Sequence, residues 1–294
     1  LHASETTIYR RFGFGIGSED ASARIRTALA KPWRVPARPG SFRLLTADEV
    51  FDVLPPLYER IARDRTGTIS RPLWWWRRSY DAAVKQVSGH GKGSWVAVHT
   101  DERGVDDGFV FYEVGWIDGF AVDPGGEGTV HELWGANADA EIALWRFLCD
   151  IDLVTTWKAS SRPIDEPVRR AMHDSRAYST VGRWDDQWVR LLDVGAALAA
   201  RTFGPAADAV VLAVQDPMFA DNCAAWEISA DGAQPSDAQP DATVDVATLS
   251  AAYLGAVSWR DLSAAAGLAL DDTVLTRLDT LFTERPTAYC GTGY

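Results

Sequence analysis

Apolar and polar positions recur along this chain in two rhythms, and the switch between them predicts its elements. Thr46-Ala-Asp-Glu49 reads as a helix N-cap with Glu three residues on, and Val50, Leu54, Leu57, Tyr58 and Ile61 follow at helical spacing. A second helix is predicted from Ser70-Arg-Pro72, with proline in an early helical position, through Leu73-Trp-Trp-Trp76 towards Val84. Strands then dominate. Ser94–His99 and Gly108–Gly115 read as strands around a charged turn at Asp101-Glu-Arg-Gly104 and Asp106-Asp107, and Thr129–Trp134 as a third. Helical spacing returns over Asp139–Leu153, where Ile142, Trp145, Phe147 and Leu148 can pack. A strand at Val154–Trp157 and a short helix at Val168–Met172 follow.

Elsewhere the pattern is sparser. Leu1–Ser4 reads as the end of a buried strand, 21–32 as a short helix or extended link, Pro32–Gly40 as a proline-punctuated connector, and Phe42–Leu45 as a strand. Past a boundary near 188–195, strands are predicted at Trp188–Asp193, Ala209–Val214, Ala224–Ser229 and Thr243–Val246. Helices are predicted at Gly195–Thr202 and near 247–254, 260–267 and 271–283. Asp231–Asp241, rich in Pro, Gln and Asp, reads as a loop with nothing to bury.

Composition narrows the function classes. Thirteen Trp and 47% hydrophobic residues in 294 supply ample core for two domains. The net charge of −12 is uneven: residues 188–294 hold 5 basic and 14 acidic residues. That imbalance disfavours nucleic acid and anionic membrane as partners and suits a cationic small molecule or peptide. Cys149, Cys223 and Cys290 are too few and scattered for a disulfide framework, which fits a reducing cytoplasm. The five histidines (His2, His90, His99, His131, His173) lack metal-ligand spacing, so no metal is expected. No signal peptide is visible, and no apolar run approaches the about 20 residues of a membrane span. Gly89-His-Gly-Lys-Gly93 lacks the spacing of a phosphate loop and reads as a turn. Of Trp74, Trp75 and Trp76 at least one should face outward, giving core plus the wall of a substrate channel.

Chemistry concentrates at the chain's two ends. Tyr9 precedes Arg10-Arg-Phe-Gly13-Phe-Gly15, where glycines permit a tight turn or close approach. A phenol, which ionises around pH 10 in water, can protonate a departing thiolate; a half-buried packing role beside Phe12 and Phe14 is the ordinary alternative. The tail Ala288-Tyr-Cys-Gly-Thr-Gly-Tyr294 ends on an aromatic residue that either frays or tucks into a core. Asp185 and Asp186 read either as a turn pair or as part of an acidic pocket.

Ala3-Ser-Glu5 followed by Ile8-Tyr-Arg-Arg-Phe-Gly-Phe-Gly15 closely resembles the end of the first acetyltransferase region of the enhanced-intracellular-survival (Eis) family, GNAT-type N-acetyltransferases. The resemblance runs through the whole chain, and the order strand, two helices, hairpin, strand, helix, strand resembles an acetyltransferase-type α/β unit. It implies an α/β and α+β architecture: residues 1–20 ending an acetyl-CoA-binding GNAT region, a linker over 21–42, a second GNAT-like region without a cofactor site over 43–187, and a sterol-carrier-protein-like α+β domain over 188–294. It implies acetyl-CoA as cofactor, primary amines of polycationic molecules or lysine side chains as substrates, and a homo-oligomer, a hexamer in the family. By the same resemblance Tyr9 is the general acid, the Tyr294 α-carboxylate the general base, and Ser4 lies near the pantetheine arm. Asp185, in the Gly182-Arg-Trp184-Asp185 join, then lines the amine pocket with Trp184. An α-carboxylate, with an ordinary pKa of about 3.5, must act through water or after desolvation.

Two positions depart from the family pattern. Arg10 stands where Gly is usual, so a positive φ there would strain the loop, and Gly293 stands where relatives carry an acidic residue. No Arg/Gly-rich pyrophosphate loop precedes Ser4, so the chain alone is expected to bind acetyl-CoA poorly. The rival expectations are a lipid or hydrophobic-ligand carrier through the C-terminal domain, and a non-catalytic oligomer scaffold.

Overall fold

A computed structural model describes residues 1–86, 93–116 and 125–293. The Gly89–Gly93 turn, except for its last residue, and Tyr294 lie outside the described residues. The chain forms two compact bodies, residues 20–184 and residues 1–19 together with 185–294. In chain order the opening segment carries α1 (Thr6–Tyr9) and the short strand β1 (Gly15–Ile16). Then come β2 (Glu19–Arg26), α2 (Thr27–Ala30), β3 (Gly40–Leu44), α3 (Val50–Ala62), α4 (Leu73–Gln86), β4 (Gly93–Asp101) and β5 (Asp106–Trp116). They are followed by β6 (Gly126–Gly135), α5 (Ala138–Asp150), β7 (Val154–Pro163), α6 (Val168–Ala171) and β8 (Tyr178–Asp185). The last part holds β9 (Trp188–Val189), α7 (Val194–Ala200), β10 (Val210–Gln215), β11 (Ala225–Ser229), β12 (Gly232–Pro235), β13 (Ala242–Asp245), α8 (Val246–Ala252), α9 (Trp259–Ala266) and α10 (Asp272–Phe282).

Within residues 20–184 the described strands form a seven-stranded sheet in the order β3-β4-β5-β6-β7-β2-β8. β3 to β6 run antiparallel, and β6 pairs with β7 in parallel because α5 carries the chain back between them. The apolar stripe of α5 (Leu144, Trp145, Leu148) packs with Ile25, Val110, Val130 and Trp157. In the tryptophan run, Trp75 and Trp76 are buried and Trp74 is 60% exposed, because successive helical residues diverge in direction. Arg71 is enclosed there, its guanidinium 3.8 Å from the Tyr58 ring centroid and 4.3 Å from that of Trp75, and it pairs with Glu132.

The C-terminal body holds a four-stranded sheet ordered β12-β11-β10-β13, with β10 and β13 parallel. Its inner residues Leu212, Val214, Ile228 and Val244 share one core with Leu249, Trp259, Leu278 and Phe282. Asp193, Asp245, Ser258 and Asp271 each accept a backbone N–H at a helix start, as short polar side chains do at N-caps.

Several sequence expectations need correction. Leu1–Ser4 is not a strand; Leu1 exchanges backbone hydrogen bonds with Trp188, yet both Leu1 and Ser4 are exposed. Residues 21–26 belong to β2, inside the sheet, where Ala21, Ala23 and Ile25 point inward. Alanines carry too little apolar surface to stand out in a strand pattern. Gly232–Pro235 pairs with β11 instead of looping free, since backbone bonding needs no apolar side chains. Only Trp188–Val189 of the strand expected at 188–193 is paired. The helix expected to reach Leu153 stops at Asp150, and Leu153 has a positive φ of 63°. β8 shows no apolar run because most of its residues are exposed.

Candidate active site

Tyr9 ends α1, and the chain turns at once through a single 3-10 turn, Arg10–Phe12. That turn stops at Gly13, whose φ of 82° suits glycine and whose N–H donates to the Arg10 carbonyl. Arg10 itself has an ordinary helical φ of −57°, so the residue that departs from the family pattern carries no strain. It also anchors the turn, donating to Asp245 at 3.2 Å and to Thr248 at 3.3 Å. Gly13 lies under the Arg190 guanidinium, where a Cβ would come within 2.7 Å. Gly15 packs against α8, where a Cβ would sit 2.4 Å from the Ala247 carbonyl oxygen. The loop is thus held on both sides of Tyr9.

The Tyr9 ring is half-buried, edge-on to Phe14 and tilted against Trp188, each with centroids 6.0 Å away. Among the described residues its hydroxyl makes no hydrogen bond, so the proton remains available to a bound molecule. Trp188 is buried, and its indole N–H donates to Asp185 at 2.6 Å. Contacts therefore run from Tyr9 through Trp188 to the Asp185 carboxylate.

Asp186 faces another way and is buried. It accepts from Ser18 Oγ at 3.3 Å and from the Cys290 N–H at 3.2 Å, and His2 Nδ1 lies 3.6 Å from it. His2 Nε2 stands 3.0 Å from the Thr292 carbonyl; a carbonyl only accepts, so this nitrogen carries the proton. Thr287 to Cys290 and Thr292 are buried, so Asp186 ties the C-terminal tail to the segment that bears Tyr9. The pairing of sequence-distant Asp186, His2, Ser18 and Cys290 left no signal in the sequence beyond the Asp185-Asp186 doublet.

Two further sequence candidates are defined by their own surroundings. Ser4 is exposed, and among the described residues its hydroxyl has no partner. Trp184, at the end of β8 in the body of residues 20–184, is half exposed and lays its ring over Gly182. Among the described residues no group of three His, Cys, Asp or Glu side chains is placed to hold a metal ion.

The start of α5, a helix after a strand, is where an acetyl-CoA pyrophosphate would be sought in this region, and the residues do not fit one. Asn137 already accepts the N–H groups of Asp139 and Ala140, and Asp139 and Glu141 put carboxylates in the first turn. Beyond the last β6–β7 backbone pair, Val130 with Ala159, Arg162 bridges the strands. It donates to the Leu133 carbonyl at 2.6 Å and to Glu166, which also accepts from Trp145 and Tyr178.

Burial pushes the Glu141 carboxyl up to about 7, with Arg162 opposing the shift and Glu166 adding to it. A carboxyl raised on folding lets the unfolded chain ionise first, so the penalty is absent below the unfolded value of about 4.3, grows from there to about 7 and is complete above it. Glu141→Gln is expected to match the wild type near pH 4 and exceed it by about 1–3 kcal/mol near pH 8 in urea denaturation; equal stability at both pH values would remove the burial argument.

Comparison with known proteins bears on this arrangement. Residues 67–191 match the family described as Acetyltransferase (GNAT) domain, and residues 194–291 the family described as Sterol carrier protein domain. The chain is 35% identical over 274 residues to an uncharacterized N-acetyltransferase of Streptomyces coelicolor, covering 90% of this chain and 64% of that protein. It is 30% identical over 292 residues to N-acetyltransferase Eis of Mycobacterium tuberculosis, covering 96% of this chain and 68% of that protein. The crystal structure of Eis1 from Mycobacterium abscessus superposes with a TM-score of 0.87 at 34% identity, covering all of this chain and 72% of the other. The chain thus spans about two thirds of the length of the curated relatives it matches.

Proposed function

The chain belongs to the Eis family of N-acetyltransferases, with a mixed α/β GNAT fold followed by a sterol-carrier-like domain, and on that premise we propose that it takes part in acetyl transfer from acetyl-CoA to primary amines. The observation that carries this reading is the contact chain Tyr9–Trp188–Asp185, with Asp186 next in sequence anchoring the tail. Acetyl-CoA supplies the acetyl group as a thioester; this chain's residues handle the protons. The Tyr9 hydroxyl donates its proton to the sulfur as the C–S bond breaks. The Tyr294 α-carboxylate takes the proton that the substrate ammonium must lose before its nitrogen bonds the carbonyl carbon. Ser4 is assigned to the pantetheine arm, and Asp185 and Trp184 to the amine pocket. Homo-oligomeric assembly is carried over from the family in the same way.

The substrate class follows from charge. Residues 188–294 hold 14 acidic against 5 basic side chains, which favours a polycationic amine over an anionic or neutral one. Incubating the intact protein with acetyl-CoA and either an aminoglycoside or a lysine peptide is expected to add acetyl groups at primary amines, read by mass spectrometry. The same amines blocked by dimethylation should gain none. Absence of transfer to every primary amine tested would overturn the proposal.

A further inference from the structure

The body of residues 20–184 contains a cleft of about 570 Å³ between β3, the residues preceding it and α5. At its wall stands His99, with only 7% of its side chain exposed, and Nδ1 2.5 Å from Asp107. A carboxylate only accepts, so Nδ1 carries a proton, and it is the neutral form of such a ring that offers Nε2 as an acceptor. Among the described residues nothing hydrogen-bonds Nε2. Gly40 lies against it, and a Cβ there would come within 2.5 Å of that nitrogen, so the glycine is what leaves it uncovered. Nε2 thus faces the cleft, open to whatever donor binds there.

The rest of the lining says what that is. The Phe42 ring stacks on Phe147 at 4.7 Å and lies 4.8 Å from the His99 ring, an apolar platform leading to Nε2. Charges at the rim are matched: Arg38 with Asp139 at 3.0 Å and Asp150 with Lys31 at 2.6 Å. Arg146 donates to the Val35 carbonyl and covers the Trp33 ring. Matched charges give an ion little to bind, whereas a flat ring with one donor satisfies both the platform and the acceptor. The volume lies within the ordinary range for small-molecule sites of about 300–1,000 Å³.

We infer that this cleft binds a small uncharged aromatic molecule with a hydroxyl donor, a phenol, its ring against Phe42 and Phe147 and its O–H donating to His99 Nε2. Fluorine NMR of para-fluorophenol titrated into the chain is expected to show a saturable shift. His99→Gln and Phe42→Ala should each weaken binding by about ten-fold or more, as should replacing the probe with para-fluorotoluene or para-fluorobenzoate. Should His99→Gln not fold, Asp107→Asn keeps the ring but donates to Nδ1, moving the proton to Nε2, and is expected to weaken the phenol equally. Unchanged phenol binding in whichever variant folds, benzoate binding as tight as phenol binding, or no saturable shift in the wild type would each overturn the assignment.

Discussion

Replacing Tyr9 by Phe is expected to lower the acetyl-transfer kcat of the intact protein by about 10²–10⁴-fold while leaving its Tm unchanged. The separation of the two effects follows from the surroundings of the ring. Phe14 and Trp188 contact its faces and edge, contacts that Phe keeps, and the hydroxyl bonds no described residue. What the substitution removes is the proton and nothing that holds the loop. Tyr9→Ala is less informative, because it also empties the space between Phe14 and Trp188. Wild-type turnover in Tyr9→Phe would take the phenol out of the mechanism, and a fall in Tm equal to that of Tyr9→Ala would make it a packing residue. A drop in kcat without a rise in KM is the signature of an interaction made only in the transition state.

Arg190→Leu should cost about 3–5 kcal/mol of stability, because it strands a buried carboxylate. Arg190 and Asp216 have 4% and 0% of their side chains exposed, and one guanidinium nitrogen contacts both carboxylate oxygens at 2.9 and 2.8 Å. Burial alone would raise the Asp216 carboxyl, but hydrogen bonds from Asn222, Arg190 and the N–H groups of Met218 and Phe219 hold it below its usual range. A depressed carboxyl stabilises above the unfolded value and loses that contribution as pH falls through the folded one, below about pH 4.

The double variant Arg190→Leu/Asp216→Leu removes both charges and should recover much of the loss, since the penalty lies in the unpaired ion. Arg190 also roofs Gly13 in the Tyr9 turn, so the single variant should lose activity along with stability. Urea denaturation decides the matter. A single variant within about 1 kcal/mol of wild type would show that water reaches Asp216 and that the pair is not a buried one.

Much of the architecture was written in local pattern. The spacing of Val50, Leu54, Leu57, Tyr58 and Ile61 marks α3, and the apolar, β-prone runs Ser94–His99 and Gly108–Gly115 around a charged turn mark β4 and β5. In α3 one buried face recurs at a fixed period, whereas β4 and β5 are buried on both faces over Val96–His99 and Gly108–Tyr112 and stand out as short apolar runs. The motif at Ile8–Gly15 likewise singled out Tyr9 from its neighbours. The strands that escaped notice have little apolar period to count: Ala-rich β2, exposed β8, and Gly232–Pro235.

The site was only partly legible for a different reason. Asp185 and Asp186 are adjacent and chemically alike, yet the strand end turns one towards the Trp188 indole and the other towards Ser18 and the tail. Arg10, a mismatch in the motif, turns out to be an unstrained anchor because the left-handed position falls at Gly13. Periodicity and short motifs report what a residue does with neighbours a few positions away, and so they disclose helices, strands and a candidate acid. Pairings such as Asp186 with Cys290, Arg190 with Asp216 and His99 with Asp107 depend on where the folded backbone aims each side chain, and that direction exists only once the core has packed.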